Sequence, residues 1–346
     1  MRQFAAFFLG VALCSSTAVS SEPVALRVES LMVPPSTQPM FFVQVKNLRS
    51  EPYEGTLSVR VPEKWRIAPS QRQISLKANE LQRVPFTIEW GVNAKVNSYL
   101  IEVTAKGAGQ EVVRKQNIAV ASAPYFKPTI DGVVEEEEWK DAIPVTFTTG
   151  GKRSVVSTYW NRRTFSILIA VEEDALIPYR ESGRFDAVQL AISPQGTVTG
   201  TTVDGQASRF EFLFVAGGEG NEAKCFQLAS PGMKLSEAAR CRSLPPLTYD
   251  DAKVVVTRDG NTTYYECSLP FTQMRDAIRP SEGRELFLSV LIHDTDGTGI
   301  RDWGRAAGLW PGQRNPLAWS RFNDAQWGDK PPFDNKLYWG LCTSKY

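Results

Sequence analysis

What most limits the fold of this chain is the spacing of its apolar residues. In run after run they recur at every second position: Phe41 to Val45, Gly55 to Val61, Val84 to Trp90 and Tyr99 to Val103 in the first third of the chain. Later runs, Val155 to Trp160, Phe165 to Val171, Asp186 to Ile192, Phe210 to Phe214, Lys253 to Val256, Thr263 to Leu269 and Glu285 to His293, are of strand length and more continuously apolar. A period of two sends alternate side chains to opposite faces of an extended strand, and the Asn, Gly, Pro and Ser clusters between the runs are turn formers. Helical spacing is confined to Trp139 with Ala142, one turn, and to Phe271–Ile278 between Pro270 and Pro280. The predicted class is all-β, built as β-sandwiches.

The stretch Lys127 to Ala142, KPTIDGVVEEEEWKDA, divides the chain. Before it, residues 23–123 read as short strands of an immunoglobulin-like sandwich. After it, residues 125–346 are richer in aromatics, hold all four cysteines beyond the N-terminal leader, and read as a larger sandwich of jelly-roll type. The linker Ala121-Ser122-Ala123-Pro124 is too short for a long flexible tether. Two cores are within reach of a chain of 346 residues.

Charge excludes some partners. Lys+Arg 39 against Asp+Glu 38 leaves +1, with no basic excess for nucleic acid or an anionic membrane surface. Arg2, the apolar run Phe4 to Leu13 and the small-x-small Ala18-Val19-Ser20 form a secretory leader over residues 1–21, so export with cleavage near Ser20 is expected. Cys14 inside it follows the large Leu13, which disfavours lipidation, and no later stretch approaches the roughly 18 apolar residues of a membrane span. In an exported chain the even set Cys225, Cys241, Cys267 and Cys342 reads as disulfides; of three connectivities, Cys225–Cys241 and Cys267–Cys342 are favoured by position. A monomer is expected.

Several motifs, taken in order, carry a resemblance. They are I-D-G with E-W at 130–139, Y-W-N-R-R-T-F-S-I-L-I-A-V-E-E-D, F-D-A-V-Q-L-A-I, Y-Y-E-C-S-L-P-F, L-F-L-S-V-L-I-H-D-T-D-G and A-W-S-R-F-N-D-A-Q-W-G-D. Together, over about residues 128–341, they resemble a family 9 carbohydrate-binding module. The first segment, with P-E-K-W-R-I-A-P around Trp65, resembles the small sandwich domains appended to secreted glycosidases, which implies a spacer or docking role. Trp65 itself reads as a packing residue.

The resemblance implies non-catalytic binding of an oligosaccharide or polysaccharide, with a terminal sugar held between two aromatic rings. Trp327 matches the ring of the final loop, whereas Gly183 stands where the other is expected; Tyr179 or Trp310 would then supply it. The acidic residue of the D-x-V strand becomes Gln189 and the basic residue of the next strand becomes Glu211, leaving Gln189, Glu211 and Asp324 as hydroxyl partners. The tail adds its own signal, because Trp303, Trp310, Trp319, Trp327 and Trp339 cluster near Gly, Pro, Asn and Asp, and exposed indole faces suit sugar rings. Trp139, Trp160, Trp319 and Trp339 read as core.

Oxygen ligands for calcium are offered by Asp294 and Asp296 in D-T-D-G and by Asp131 with the Glu135 to Glu138 run, although turn chemistry explains D-G equally well. No G-x-S-x-G, H-E-x-x-H or Cys–His pattern marks a catalytic centre. Haem held by His293 with Met233 or Met274 is a weaker reading, and a structural or protein-interaction sandwich without sugar binding is the main alternative.

Overall fold

The computed structural model describes residues 22–194, 209–218, 222–233, 243–303 and 337–341, the side chains of 337–339 excepted. The alternation becomes strands almost run for run. In the N-terminal half these are β1 (Val24–Val28), β2 (Met40–Asn47), β3 (Tyr53–Arg60), β4 (Arg66–Ala68), β5 (Gln71–Leu76), β6 (Leu81–Trp90), β7 (Tyr99–Gly107) and β8 (Gln110–Ile118). They form two four-stranded sheets, ordered β1-β2-β6-β4 and β5-β3-β7-β8. Along β6, Val84, Phe86 and Ile88 are buried while Thr87 and Glu89 face solvent, the period-two pattern in one strand. Trp65 is packed as expected: its ring centroid lies 4.9 Å from that of Tyr99 and its Nε1 donates to the Val92 carbonyl at 3.1 Å.

The C-terminal half holds β9 (Ser122–Ala123), β10 (Val145–Thr149), β11 (Lys152–Trp160), β12 (Thr164–Glu172), β13 (Ala187–Pro194), β14 (Phe210–Val215) and β15 (Lys224–Ala229). It continues with β16 (Lys253–Asp259), β17 (Thr262–Pro270), β18 (Glu285–Asp294), β19 (Gly299–Asp302) and β20 (Leu337–Leu341). One sheet runs β10-β11-β12-β17-β16; the other runs β15-β14-β13-β18-β20-β9, with β19 paired to β18. Between them lies a core that includes Val156, Ile167, Ile169, Leu190, Phe212, Tyr265 and Leu288.

The second of these sheets is buried on both faces. Val188, Leu190 and Ile192 point into the shared core, while Ala187, Gln189 and Ala191 point away from it and are no more exposed. Part of that outer face is closed by a second apolar cluster, in which Phe185, Leu213, Val215, Phe226 and Leu228 meet Ile177, Tyr179 and Leu247.

The two halves are stitched together. β9 pairs in parallel with β20, through Gly340 opposite Ser122 and Leu341 opposite Ala123. Asn97 accepts from Val120 N (2.8 Å) and donates to the carbonyls of Val120 (2.9 Å) and Pro144 (3.0 Å).

The dividing stretch folds as a cover on the β11-β12-β17-β16 face. Gly132 has φ +87°, and a Cβ there would lie 2.8 Å from Val255 Cγ1 and 2.9 Å from Thr257 Cγ2. Its N–H donates to Glu266 Oε2 at 2.8 Å. The single turn α1 (Glu136–Trp139) then lays Trp139 on Tyr159, centroids 5.2 Å apart. Burial pushes the Tyr159 hydroxyl pKa up to about 12, and that hydroxyl donates to the Glu138 carbonyl.

Two expectations are corrected. Within Phe271–Ile278 only α2 (Arg275–Ile278) is helical, because the prolines leave room for little more and Arg279 ends it at φ +49°. Cys225 and Cys267 are free thiols, both turned into the main core, where burial pushes their pKa values up and a thiol packs as a small apolar group. Their expected partners Cys241 and Cys342 lie outside the described residues. The leader, residues 1–21, also lies outside them, and among the described residues no helix is long and apolar enough to cross a membrane.

Burial raises the Glu266 carboxyl above its ordinary 4.5, against the opposing Gly132 N–H and Trp139 indole. The folded form therefore keeps a proton that the unfolded chain has lost. The stability this provides is complete at low pH and disappears as pH rises through the folded value. Urea unfolding of the parent and of Glu266→Gln should show the parent losing stability relative to the variant as pH rises above the ordinary carboxyl value of 4.5; a constant difference would contradict the assignment. Gly132→Ala, which adds both a positive-φ cost and a clash, should destabilise by roughly 1–3 kcal/mol in the same assay.

Candidate functional site

Two polar constellations are built on β13 and its neighbours. The first is a row across the outer face of β14, β13 and β18. Register sets Glu211 opposite Ala191, Gln189 opposite Leu213 and Leu291, and His293 opposite Ala187, so all three side chains share one face. Gln189 Nε2 donates to Glu211 Oε2 at 3.2 Å, and Gln189 Oε1 lies 2.9 Å from His293 Nε2. Arg209, two residues before Glu211 and so on the same face, pairs with Glu211 Oε1 through its Nε.

These contacts fix the protons. A carboxylate only accepts, so Glu211 sets the Gln189 amide with its NH2 toward β14 and its oxygen toward β18. His293 must then carry its proton on Nε2. Burial pushes the His293 pKa down to about 4, so the ring is neutral at ordinary pH, and the guanidinium of Arg209 balances Glu211. All four side chains are at most 1% exposed, and Arg209 Nη2 is buried without a hydrogen-bond partner.

The second constellation lies where β13 begins and β18 ends. Ligand atoms of Asp186, Asp294 and Asp296 lie within 4.8 Å of one another. Asp186 Oδ1 accepts from Thr295 N (2.8 Å) and Oγ1 (2.9 Å), and its Oδ2 accepts from Ile177 N (2.6 Å). Asp294 Oδ2 accepts from Thr298 N (2.9 Å), Thr298 Oγ1 (2.8 Å) and Arg301 Nη2 (2.6 Å). Asp294 Oδ1 is buried with no hydrogen-bond partner, and a Cβ on Gly297 would sit 2.5 Å from it. Glycine thus keeps open the space in front of that oxygen.

The electrostatics divide these carboxyls. Burial pushes Asp294 up, but the Thr298 and Arg301 donors outweigh it and hold the pKa below the ordinary value. Burial raises Asp186 against the Thr295 and Ile177 donors. Glu173, close by, is pushed up to about 7, chiefly by burial, with Asp186 and Asp294 adding to the rise and Thr263 and Arg258 opposing it. A protonated and an ionised carboxyl side by side are the raw material of acid–base catalysis. Here Glu173 is 1% exposed and Arg258 grips it, donating to its carbonyl at 2.9 Å, which makes the carboxyl part of an internal polar network.

Arg301, 0% exposed, ties this corner to the opposite sheet. Besides Asp294 it donates to Thr298 Oγ1 (2.7 Å), Ser154 Oγ (3.3 Å) and the carbonyls of Arg153 (3.4 Å) and Glu172 (2.7 Å).

Of the residues singled out in the sequence, Gln189 and Glu211 are brought together, as are Asp294 and Asp296. Asp131 is elsewhere, in the I-D-G turn, where its Oδ1 accepts from Val133 N at 2.9 Å. Tyr179 is half-buried and packs with its ring centroid 5.0 Å from Phe185 and 5.1 Å from Phe226. Trp303 is also corrected: it is 4% exposed and stacks on Phe147 instead of facing water. Trp139 and Trp160 are core, as expected. Trp310, Trp319, Asp324, Trp327 and the Trp339 side chain lie outside the described residues. Arg209, His293 and Asp186 were not foreseen as members of these sites; Arg-x-Glu at strand spacing beside a cross-strand Gln was the one available signal.

No family model matches the chain, and no curated protein matches it. Among solved structures, a family 9 carbohydrate-binding module from Caldicellulosiruptor kristjanssonii in complex with glucose is similar at 10% identity and a TM-score of 0.40, covering 64% of this chain and 95% of that one. The same organism's module in complex with cellotriose gives 10% identity and 0.41, over 65% and 94%. A partial N-terminal region of enterococcal surface protein gives 11% and 0.18, over 80% and 91%. None of these likenesses assigns a function.

Removing a fully buried cation that holds two sheets takes the ion pair from Asp294 and a donor from the carbonyls of Arg153 and Glu172. Arg301→Ala should cost about 3–5 kcal/mol by urea unfolding, and Arg301→Lys should recover only part of it, having no planar fork of donors. A loss under about 1 kcal/mol would contradict the clamp.

Proposed function

We propose that this protein binds carbohydrate without cleaving it, through the outer face of β13, β14 and β18, and that Asp186, Asp294 and Asp296 hold a calcium ion beside that face. The observation that carries the reading is the row Arg209–Glu211–Gln189–His293, which contains Gln189 and Glu211, two of the hydroxyl partners that the family resemblance implies. Its charges cancel, and Arg209 Nη2 is a buried donor in want of an acceptor, which a sugar hydroxyl would supply. A neutral ligand suits a row whose one acid is already paired. The reading includes export, proposed on the leader-like residues 1–21, with the ligand then met outside the cytoplasm.

For calcium, the fit rests on Asp294 Oδ1, an orphaned buried oxygen facing two further carboxylates. A hard cation that prefers oxygen would satisfy it. Its role would be to hold the mouth of β13 against the end of β18.

The rival reading, a sandwich that serves structure or protein contact, is favoured by the burial of Gln189 and Glu211, both 0% exposed. A glycan array followed by calorimetry separates the two. The parent should bind at least one neutral glycan, and Gln189→Leu, folded by circular dichroism, should lose about 10–100-fold in affinity. An array without signal from folded protein would favour the rival.

Calcium should raise Tm in the parent, by an amount equivalent to about 2.7 kcal/mol at a hundredfold excess over Kd, and should leave Asp296→Asn unmoved. An unchanged parent Tm would remove the ion.

A further inference from the structure

We infer that the N-terminal sandwich is more than a spacer: with the C-terminal one it forms a continuous groove for an extended, uncharged saccharide chain. The inference takes its ligand class from the carbohydrate reading above, and its location from residues that reading does not use.

At the seam between the halves lies a cavity of about 260 Å³, to which Asn97, Ser98 and Asn117 contribute from one side and Thr146, Thr148 and Trp303 from the other. The described residues that line it are all uncharged. An ionic ligand entering it would shed water and find no counter-charge. Amides and hydroxyls, by contrast, offer donors and acceptors together, the pairing that vicinal sugar hydroxyls require.

The walls are held in advance. Asn97 is committed to Val120 and Pro144, and the Gln116 amide to both backbone groups of Val28, at 2.9 and 2.6 Å. The exposed Ser98, Asn117, Thr146 and Thr148 keep their side chains toward the open side.

Ser98 also lines a second cavity, of about 690 Å³, which runs over Pro62, Trp65, Val92 and Leu100 of the N-terminal sandwich. Ser98 lines both, so the two cavities adjoin. Val92 and Leu100 are 41% and 53% exposed there, an apolar strip above the fixed Trp65 and Tyr99 rings. Glu102 at the rim stands between Arg60 (3.6 Å) and Lys115 (3.2 Å), so the acid is already compensated. Glu63 and Lys64 add one charge of each sign to the same rim, and an apolar strip bordered by charges of both signs suits the faces and hydroxyl edges of a sugar chain; the larger cavity falls in the roughly 300–1,000 Å³ range of ligand clefts. Sites at domain seams are common for the same reason, since two walls close on one ligand.

Calorimetry on the full chain with cello-, xylo- and manno-oligosaccharides of one to six residues tests the groove. Ser98→Arg and Thr146→Arg, both at exposed positions, obstruct it without touching either core. The parent should bind a hexasaccharide at least tenfold more tightly than the matching monosaccharide. The two variants should lose that gain while monosaccharide affinity stays within twofold. Equal hexasaccharide affinity in parent and variants, or no length dependence in the parent, would overturn the groove and leave the carbohydrate reading standing. A parent that binds none of these sugars would overturn both.

Discussion

The structure depends on one buried cation. Arg301, on the short strand β19, reaches across the sandwich and satisfies carbonyls of Arg153 and Glu172 on the facing sheet while pairing with Asp294 on its own. Burying a guanidinium is expensive unless every donor is used, and here each of its three nitrogens is bonded. The consequence is a fixed end to β18. Because successive residues of a strand face opposite ways, that end serves two sites: Asp294 turns toward the acidic cluster and His293 toward the polar row.

From that anchor the rest follows by register. β18 pairs with β13 and β13 with β14, so the positions of His293, Gln189 and Glu211 are set by backbone hydrogen bonds before any side chain acts. The row is rigid, neutral overall and short of one acceptor. Such an arrangement suits the binding role proposed for it, since a donor without an acceptor is left beside groups already fixed in place. The stitching of β9 to β20 extends the same rigidity to the N-terminal half, which is why a groove shared between the two sandwiches keeps a defined shape.

Much of the fold was legible because period-two alternation and strand-length apolar runs between turn formers leave few alternatives, whereas the close approach of Gly132 to Val255 and Thr257 needed the fold to appear. The site was harder. Gln189 and Glu211 could be placed through the resemblance, but Arg209 could not, since a charged residue opening an apolar strand reads as solvated and here is 1% exposed. Asp186 is remote in sequence from Asp294, so D-T-D-G read locally as a loop when its third carboxylate comes from the mouth of another strand. Aromatic type says nothing of partners, so the packing of Tyr179 on Phe185 and Phe226 could not be read from the sequence. The cysteines were read by parity, a rule for small exported domains, whereas Cys225 and Cys267 sit in a core large enough to take a thiol as an apolar group.

The most direct test of the central claim is a crystal structure of the protein grown with a saturating oligosaccharide. Electron density for a sugar ring with a hydroxyl within hydrogen-bond distance of Arg209 Nη2, and with Gln189 and Glu211 behind it, is the expected result. A fully occupied sugar bound away from β13 and β14, with the Arg209–Glu211–Gln189–His293 row still sealed beneath protein, would contradict it.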